Sequence, residues 1–294
     1  MTTSAAAFMR ASNLIVMDYP YAAAVASALR LCDELCVVVG QSVDATRDAI
    51  YALQHEYGAD SIKIKEEVWT FDRGWQERWW DSCREMTKAE WHFVQDADEM
   101  IHEDYAGVVR GFMEEPDLAH INVMVFPFVH FYGTDHHRVV HPRFYPYNSR
   151  LGRASAGYRM RNWCSDRQPH LPACMMVVQQ DGREIGAHGL RGAPAVVLDI
   201  PILHYGWCRS LRGLAISQAK HYAWYADGGG LQDGRVPELP PYDLAFADRL
   251  ATGFIEPIDV RHPAAMQPWL QAHAPEWYQT EVLAKAAAQM KATP

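Results

Sequence analysis

Short apolar runs alternate with helix-forming stretches along the first hundred residues. Residues 13–17 are apolar and are closed by the sequence Asp-Tyr-Pro-Tyr at 18–21, which predicts a buried strand followed by a loop. The Ala- and Leu-rich residues 21–35 predict a helix, and residues 35–39 predict a second buried strand ending at Gly40. Strand, helix and strand at this spacing indicate a parallel crossover.

The same alternation continues downstream. A helix reaching about Tyr57 and a strand over 61–68 are predicted next, and residues 74–88 predict a further helix before a compact apolar strand over 91–95. One face of that helix carries large apolar residues at spacings of four, four and three, which is typical of core packing rather than of an aromatic binding box. The stripe consists of Trp75, Trp79, Cys83 and Met86.

The second half of the chain is less regular. Residues 121–130 and 195–204 are strand-like, Pro237, Pro240 and Pro241 mark a linker, and the Ala-rich residues 264–291 predict helix. The pattern as a whole favours an α/β fold in which a mostly parallel central sheet is flanked by helices.

Composition sets the scale of this fold. The chain has 294 residues, 49% of them hydrophobic, which is enough to bury a full-sized core. We therefore expect one large domain over 1–235 and a C-terminal linker and helical extension over 236–294. The formal net charge of −9 argues against a surface that serves as a whole as a nucleic-acid clamp, while a local basic patch remains compatible with it.

The cysteines and the N-terminal residues bear on the compartment. The six cysteines include no Cys-x-x-Cys pair of the kind that a zinc ribbon or a thioredoxin-like site needs, so buried or free thiols are expected. Residues 1–7 lack a positively charged start and an apolar core, and no run approaches about 18 apolar residues. The sequence therefore predicts a cytoplasmic protein without a membrane span.

An acidic cluster directly follows the strand predicted over 91–95. In an open parallel sheet, ligands collect beyond the carboxyl ends of the strands, which is where Asp96 and Asp98 fall. The chain turns at a strand's end, so both carboxylates can approach one divalent cation, and such a cation can neutralise charge on a leaving nucleotide diphosphate. A solvated acidic turn is the alternative for an isolated Asp-x-Asp sequence.

Four segments taken together resemble family 2-type GT-A glycosyltransferases, which are inverting enzymes that use nucleotide-sugars. They are the Tyr-Pro-Tyr loop at 19–21, Ser42-x-Asp44-x-Thr46, the strand 91–95 running into 96–99, and the His-Tyr-Gly-Trp sequence at 204–207. The resemblance implies a GT-A (Rossmann-like) fold with a donor half over about 13–115 and an acceptor side over about 116–235.

The resemblance also implies roles for residues of the donor half. Asp18 and Tyr19 would line the nucleoside pocket, and Asp44 would hold the base or ribose through carboxylate hydrogen bonds. Arg73 and Asp96 belong to the same donor-binding set, with Asp96 in contact with the ribose or the metal.

A Mn2+ or Mg2+ cofactor is implied in the same way. Asp98 would bind the metal directly, with Asp96 beside it, and His204 would complete the metal site because a neutral imidazole suits manganese as well as zinc. A buried structural histidine is the alternative for His204. Gly40 stands where many relatives carry an acidic residue, which leaves the base of the nucleotide open, with a UDP-sugar as the first choice.

An inverting enzyme also needs a general base that deprotonates the acceptor hydroxyl. Asp166 and Glu184 lie between the metal motif and His204, where the family usually keeps this group, and His188 is a third candidate because its ordinary pKa lies near neutrality. A solvated surface position is the alternative for each of the three.

A stretch without acidic residues raises the question of the acceptor. Between residues 136 and 165 there is no Asp or Glu, while arginines alternate with aromatic residues, a composition that suits phosphate contact and base stacking. The arginines are Arg138, Arg143, Arg150, Arg153, Arg159 and Arg161. A saccharide, a hydroxymethylated pyrimidine in DNA, and a plain surface all remain compatible with the segment.

Two other kinds of protein share parts of this pattern. A nucleotidyltransferase has a similar sheet and acidic metal site, but it would more often show a Gly-rich basic loop after the first strand. A noncatalytic protein that binds a nucleotide or a sugar would keep the pocket without needing the metal.

Overall fold

The structure is a computed structural model. It describes residues 3–68, 75–140, 144, 146–156, 159–160, 176–180, 183–186, 195–210, 212–214, 216–217 and 249–272. The strands are β1 Ala5–Ala11, β2 Glu34–Val39, β3 Ile62–Glu66, β4 Trp91–Val94, β5 Glu99–Ile101, β6 Val123–Tyr132, β7 Thr134–Val139, β8 Tyr147–Arg153, β9 Arg159–Met160, β10 Met176–Gln180, β11 Arg183–Gly186, β12 Ala195–Val197, β13 Ile202–Trp207 and β14 Ile255–Pro257. The α-helices that lie wholly within the described residues are α1 Tyr21–Leu31, α2 Thr46–Tyr57, α3 Trp75–Glu85, α4 Glu103–Glu114 and α5 Gln267–Ala272.

The central sheet has a parallel half and a mixed half. Its strand order is β14-β7-β6-β8-β4-β1-β2-β3, and the strands from β4 to β3 run parallel to one another. Strand β8 enters antiparallel between β4 and β6, while β12 and β13 lie parallel to β6. The predicted α/β fold with parallel central strands flanked by helices is confirmed. Strands β9, β10 and β11 form a separate antiparallel sheet.

The first strand is Ala5–Ala11, so the prediction of a strand over 13–17 was wrong. Alternate residues of β1 serve opposite faces of the sheet: Ala5 and Ala7 pack with the α1 side, whereas Phe8 packs with the tryptophans of α3. Alanine favours helix in isolation, but here tertiary packing overrides that preference because small side chains let helices approach both faces. Residues 13–17 form turns instead.

Helix α3 has the buried face that the sequence predicted. Trp79 is 3% exposed and Cys83 is 1% exposed, and both pack in one cluster with Phe8 and Cys36. The core-packing interpretation of this stripe is therefore confirmed for the described side chains. Four cysteines, at positions 32, 36, 83 and 208, are buried free thiols, as expected.

The second half of the chain departs from the prediction in two places. The run over 195–204 is two strands rather than one, because Pro201 has no N–H to continue the ladder to β6. The arginine-rich segment contributes strand β8, which the sequence did not indicate. Residues 273–294 of the predicted helical extension lie outside the described residues, and in the part that is described no helix has the length and apolar character that a membrane crossing requires.

Candidate metal and nucleotide site

Three loops meet at one edge of the sheet. They follow β1, β2 and β4, which are adjacent parallel strands, so their carboxyl ends point the same way. The loops comprise residues 12–20, 40–45 and 95–98. This is the edge at which open α/β sheets bind ligands.

The loop after β2 fixes the shape of the loop after β1. The Asp44 carboxylate accepts the Val16 N–H at 2.7 Å and the Thr46 N–H at 3.0 Å. The Thr46 hydroxyl accepts the Leu14 N–H at 2.7 Å, and the Ser42 hydroxyl accepts an N–H from the same loop. The Ser-x-Asp-x-Thr sequence thus orders the first loop through its backbone, and direct contact between Asp44 and a base or ribose stays a prediction.

Asp18 joins the first loop to the segment that follows β13. Its carboxylate accepts the Ser210 N–H at 2.8 Å, and Asp18 itself has a φ of 58°. Gly213 comes so close that a Cβ there would lie 2.5 Å from the Met17 carbonyl oxygen. Only a glycine permits this approach, so the two segments form one wall of the site.

Tyr19 and Arg209 form the centre of that wall. The Arg209 guanidinium lies 4.0 Å from the centroid of the Tyr19 ring and donates to the Met17 and Gly206 carbonyls at 3.0 and 2.8 Å. Burial raises the pKa of Tyr19, with Arg209 opposing, so the phenol stays neutral at physiological pH. The hydroxyl is hydrogen-bonded to Ser217.

Asp98 and His204 come together through the pairing of β5 with β13. Strand β5 begins directly after the acidic turn, and its Glu99 lies opposite His204 in the antiparallel register. The Tyr205 N–H donates to the Asp98 carbonyl at 2.8 Å. As a result, Oδ2 of Asp98 lies 3.7 Å from Nε2 of His204.

Gly206 lets the Asp98 and His204 side chains lie close to the strand backbone at this point. A Cβ on Gly206 would lie 2.6 Å from His204 Nε2 and 2.9 Å from Asp98 Oδ2. An imidazole nitrogen and a carboxylate oxygen that face one cradle are a donor set that suits manganese or zinc. The residues present therefore fit a divalent cation.

His130 orients the His204 ring. The two residues are partners in the β6–β13 register, and their Nδ1 atoms are 2.9 Å apart. Burial lowers the pKa of His204 to about 3, so the imidazole is neutral. When its proton lies on Nδ1 and is donated to His130, the lone pair of Nε2 faces Asp98, which is how outer-shell partners orient metal-binding histidines.

Charge compensation differs between the two aspartates. Burial raises the pKa of Asp98 to about 6, although Arg209 opposes the rise. Burial would also raise the pKa of Asp96, but Arg10, at 3.1 Å, and Arg150, at 3.8 Å, turn the net shift downward. Among the described residues, Asp96 does not complete a three-ligand set with Asp98 and His204 within 4.8 Å, so its place as a metal ligand stays a prediction.

The described arginines of the acid-free segment are paired with carboxylates. Arg150 is fully buried and forms ion pairs with Glu99 and Asp96, and its guanidinium lies over Phe128 at 5.2 Å. Arg153 pairs with Glu90. A fully buried guanidinium does not reach a polymer on the surface, so Arg150 does not contribute to phosphate contact there, and the acceptor stays a prediction.

Several predicted site residues are not placed. Arg73, Asp166 and His188 lie outside the described residues. Glu184 is on β11, opposite Gln179, but its side chain is not among those described. The assignment of a general base thus stays a prediction.

Three residues that shape the site were not predicted from the sequence, namely Arg10, His130 and Arg209. Glu99 belongs to the predicted acidic cluster, but its pairing with Arg150 was not predicted. Arg10 on β1 could have been found from its odd charge within an otherwise apolar strand, had that strand been recognised. Nothing in the local sequence around His130 or Arg209 marks either residue as a member of the site.

Comparison with known proteins gives structural neighbours only. No protein-family model matches the sequence, and no curated protein matches it. TarS of S. aureus is 12% identical, with a TM-score of 0.43 over 96% of this chain and 50% of that chain. A mannosyltransferase of Pyrobaculum calidifontis, solved with GDP-Man and Mn2+, is 14% identical, with a TM-score of 0.42 over 100% of this chain and 76% of that chain. Glucosyl-3-phosphoglycerate synthase of Mycobacterium tuberculosis, solved with Mn2+ and UDP, is 14% identical, with a TM-score of 0.32 over 43% and 44% of the two chains. The chain thus spans about half the length of TarS.

Proposed function

We propose that this protein is a metal-dependent glycosyltransferase of the GT-A type that transfers a sugar from a nucleotide-sugar donor. The observation that carries the proposal is the meeting of Asp98 and His204, 3.7 Å apart, at the carboxyl edge of the parallel strands. The neutral imidazole of His204 and its close approach, with Asp98, to Gly206 support the same assignment.

The charges around this pair fit a diphosphate once a cation is bound. Three acidic side chains, Asp96, Asp98 and Glu99, lie with three guanidinium groups, those of Arg10, Arg150 and Arg209. These six formal charges cancel, so a divalent cation leaves the cluster positive. A bound cation would neutralise charge on the leaving nucleoside diphosphate.

The donor pocket is assigned to the loop after β1. Asp18 and Asp44 each hold backbone N–H groups, which fixes the loop before the nucleotide arrives. Preorganisation of this kind lowers the entropy that binding costs. We propose that Tyr19 and Arg73 complete the pocket and that UDP is the preferred nucleotide.

The transfer itself is proposed to proceed with inversion. One of Asp166, Glu184 and His188 would take the proton from the acceptor hydroxyl. A saccharide is the favoured acceptor, because both Arg150 and Arg153 are engaged by carboxylates and are poorly available to DNA phosphates. A hydroxymethylated pyrimidine in DNA is the second candidate.

A donor screen tests this function. Thermal unfolding is followed with UDP, UDP-hexoses and GDP-mannose, each with and without Mn2+, because a ligand that binds the folded state raises stability in proportion to its affinity. We expect a rise in Tm that requires nucleotide and metal together, and metal-dependent hydrolysis of the same donor. Binding without any need for metal would favour a noncatalytic protein, and release of pyrophosphate from a nucleoside triphosphate would favour a nucleotidyltransferase.

A further inference from the structure

A second group of metal-binding side chains lies away from the Asp98–His204 pair. Asp135, His136 and His262 each offer a ligand atom, and these atoms all lie within 4.8 Å of one another. Oδ1 of Asp135 is 3.6 Å from Nε2 of His136, and Oδ2 is 3.5 Å from Nε2 of His262. Ligands about 2.0–2.1 Å from a tetrahedral zinc ion lie about 3.3 Å apart, so the spacing is close to that of a zinc site.

The fold brings these residues together from distant parts of the chain. Asp135 and His136 are consecutive on β7 and lie in a bulge of its register with β6, where the regular alternation of side chains between faces is broken. His262 follows β14, which pairs antiparallel with β7. The Ile258 N–H donates to the His136 carbonyl at 2.9 Å, which holds the C-terminal segment along the beginning of β7. His262 then turns in beside Asp135.

The environment of His262 points to a bound cation. Its side chain is 8% exposed, and its buried Nε2 has no hydrogen-bond partner among the residues that the structure describes. The other ring nitrogen, Nδ1, lies 2.8 Å from the Tyr205 hydroxyl. When the proton lies on Nδ1 and is donated to the Tyr205 hydroxyl, the Nε2 lone pair and the Asp135 carboxylate face each other. A shared cation stabilises this arrangement, and the hydroxyl holds the imidazole ring in it.

We propose that Asp135, His136 and His262 bind a divalent transition-metal ion of the zinc class. Two imidazoles and one carboxylate form a three-ligand set that leaves a further position open. The site is distinct from the Asp98–His204 pair, because successive residues of β13 face opposite sides of the strand: His204 faces Asp98, and Tyr205 faces His262. A metal bound here joins the segment after β14 to the central sheet.

Zinc binding to the full-length protein tests this proposal. Free Zn2+ is titrated in competition with a chromophoric chelator, and Co2+ is titrated as a spectroscopic substitute. His136→Ala is the main variant, because the His136 side chain is 74% exposed and its loss leaves the core intact. His120→Ala removes an exposed histidine elsewhere and is the matched control.

We expect the wild-type protein to bind zinc, and His136→Ala to bind it at least about tenfold more weakly, since losing a group that only orients a ligand already costs about that much. The His120→Ala control should match the wild type, and Asp98→Asn should keep the zinc affinity of this site. Zinc should also raise the Tm of the wild type but not that of His136→Ala. The proposal is overturned if the wild type binds no zinc, in which case Asp135 and His262 form only an ion pair. It is also overturned if the titrations of His136→Ala and the wild type superimpose.

Discussion

At the scale of single residues, the candidate site depends on charged groups that are taken out of water. Burial raises the pKa of Glu99, against the opposing charge of Arg150, and the like charges of Asp96 and Asp98 add to the rise. Removing one charged side chain leaves its partner buried and unpaired. The resulting loss of stability is larger than the stabilisation that the intact ion pair provides. The buried arginine is therefore a positioning residue for the acidic turn.

Arg150→Met tests this role. The substitution should lower the free energy of unfolding by about 3–5 kcal/mol, because it leaves Glu99 buried without its partner. Arg153→Met is the matched control on the same strand, since its partner Glu90 is 43% exposed, and it should cost about 1–2 kcal/mol, including the lost stacking on Trp91. Urea unfolding of the two variants measures both values.

The double variant Arg150→Met/Glu99→Met separates charge from packing. It should regain much of the lost stability, because an apolar pair replaces the uncompensated carboxyl group. Equal costs for Arg150→Met and Arg153→Met would contradict the account of a buried, compensated cluster.

At the scale of elements, strand β4 carries a histidine whose pKa lies below its usual range. His92 is 2% exposed and packs against Phe8, with ring centroids 4.7 Å apart. Burial lowers the pKa of His92 to about 4, with a smaller contribution from Arg84. Between pH 6.5, the ordinary histidine pKa, and about pH 4, the unfolded chain therefore binds a proton at His92 that the folded chain does not bind.

This shift predicts the direction of a pH dependence. The contribution of His92 to stability is complete above about pH 6.5 and is lost as the pH falls toward 4, by at most about 3 kcal/mol. The stability that His92→Gln loses between pH 7.5 and pH 5 should thus be smaller than the wild-type loss. His55→Gln, at an exposed position of α2, should keep the wild-type dependence. Parallel curves for the wild type and His92→Gln would contradict the assignment.

The elements also show what the sequence could reveal. Apolar periodicity was sufficient for β2, α3 and β4, since each buries a continuous face. It failed for β1, because a run of alanines indicates no strand until sheet neighbours and helices cover it. It also failed for β8, whose polar sequence gains its burial only from insertion between β4 and β6.

At the scale of the whole molecule, the candidate site joins segments that are far apart in sequence. The acidic turn and the His-Tyr-Gly-Trp segment were recognised by resemblance, and the pairing of β5 with β13 explains how they meet. The contributions of His130 and Arg209 were not predictable, because each depends on a tertiary contact that no local pattern encodes. Arg10 was missed because strand β1 was not recognised. The Asp135–His136–His262 group escaped for the same reason.

The central claim is that Asp98 and His204 hold a catalytic metal, and calorimetric titration of Mn2+ in the presence of UDP tests it most directly. The titration uses the His136→Ala background, so that the proposed zinc-class site does not contribute.

Asp98→Asn should abolish the UDP-dependent binding, since a neutral amide is a poor ligand for a hard cation. His204→Ala should weaken it by about 1–3 kcal/mol. Asp117→Asn, at an exposed position, should bind as the background does. Isotherms of Asp98→Asn and His204→Ala that superimpose on that of the background would contradict the account.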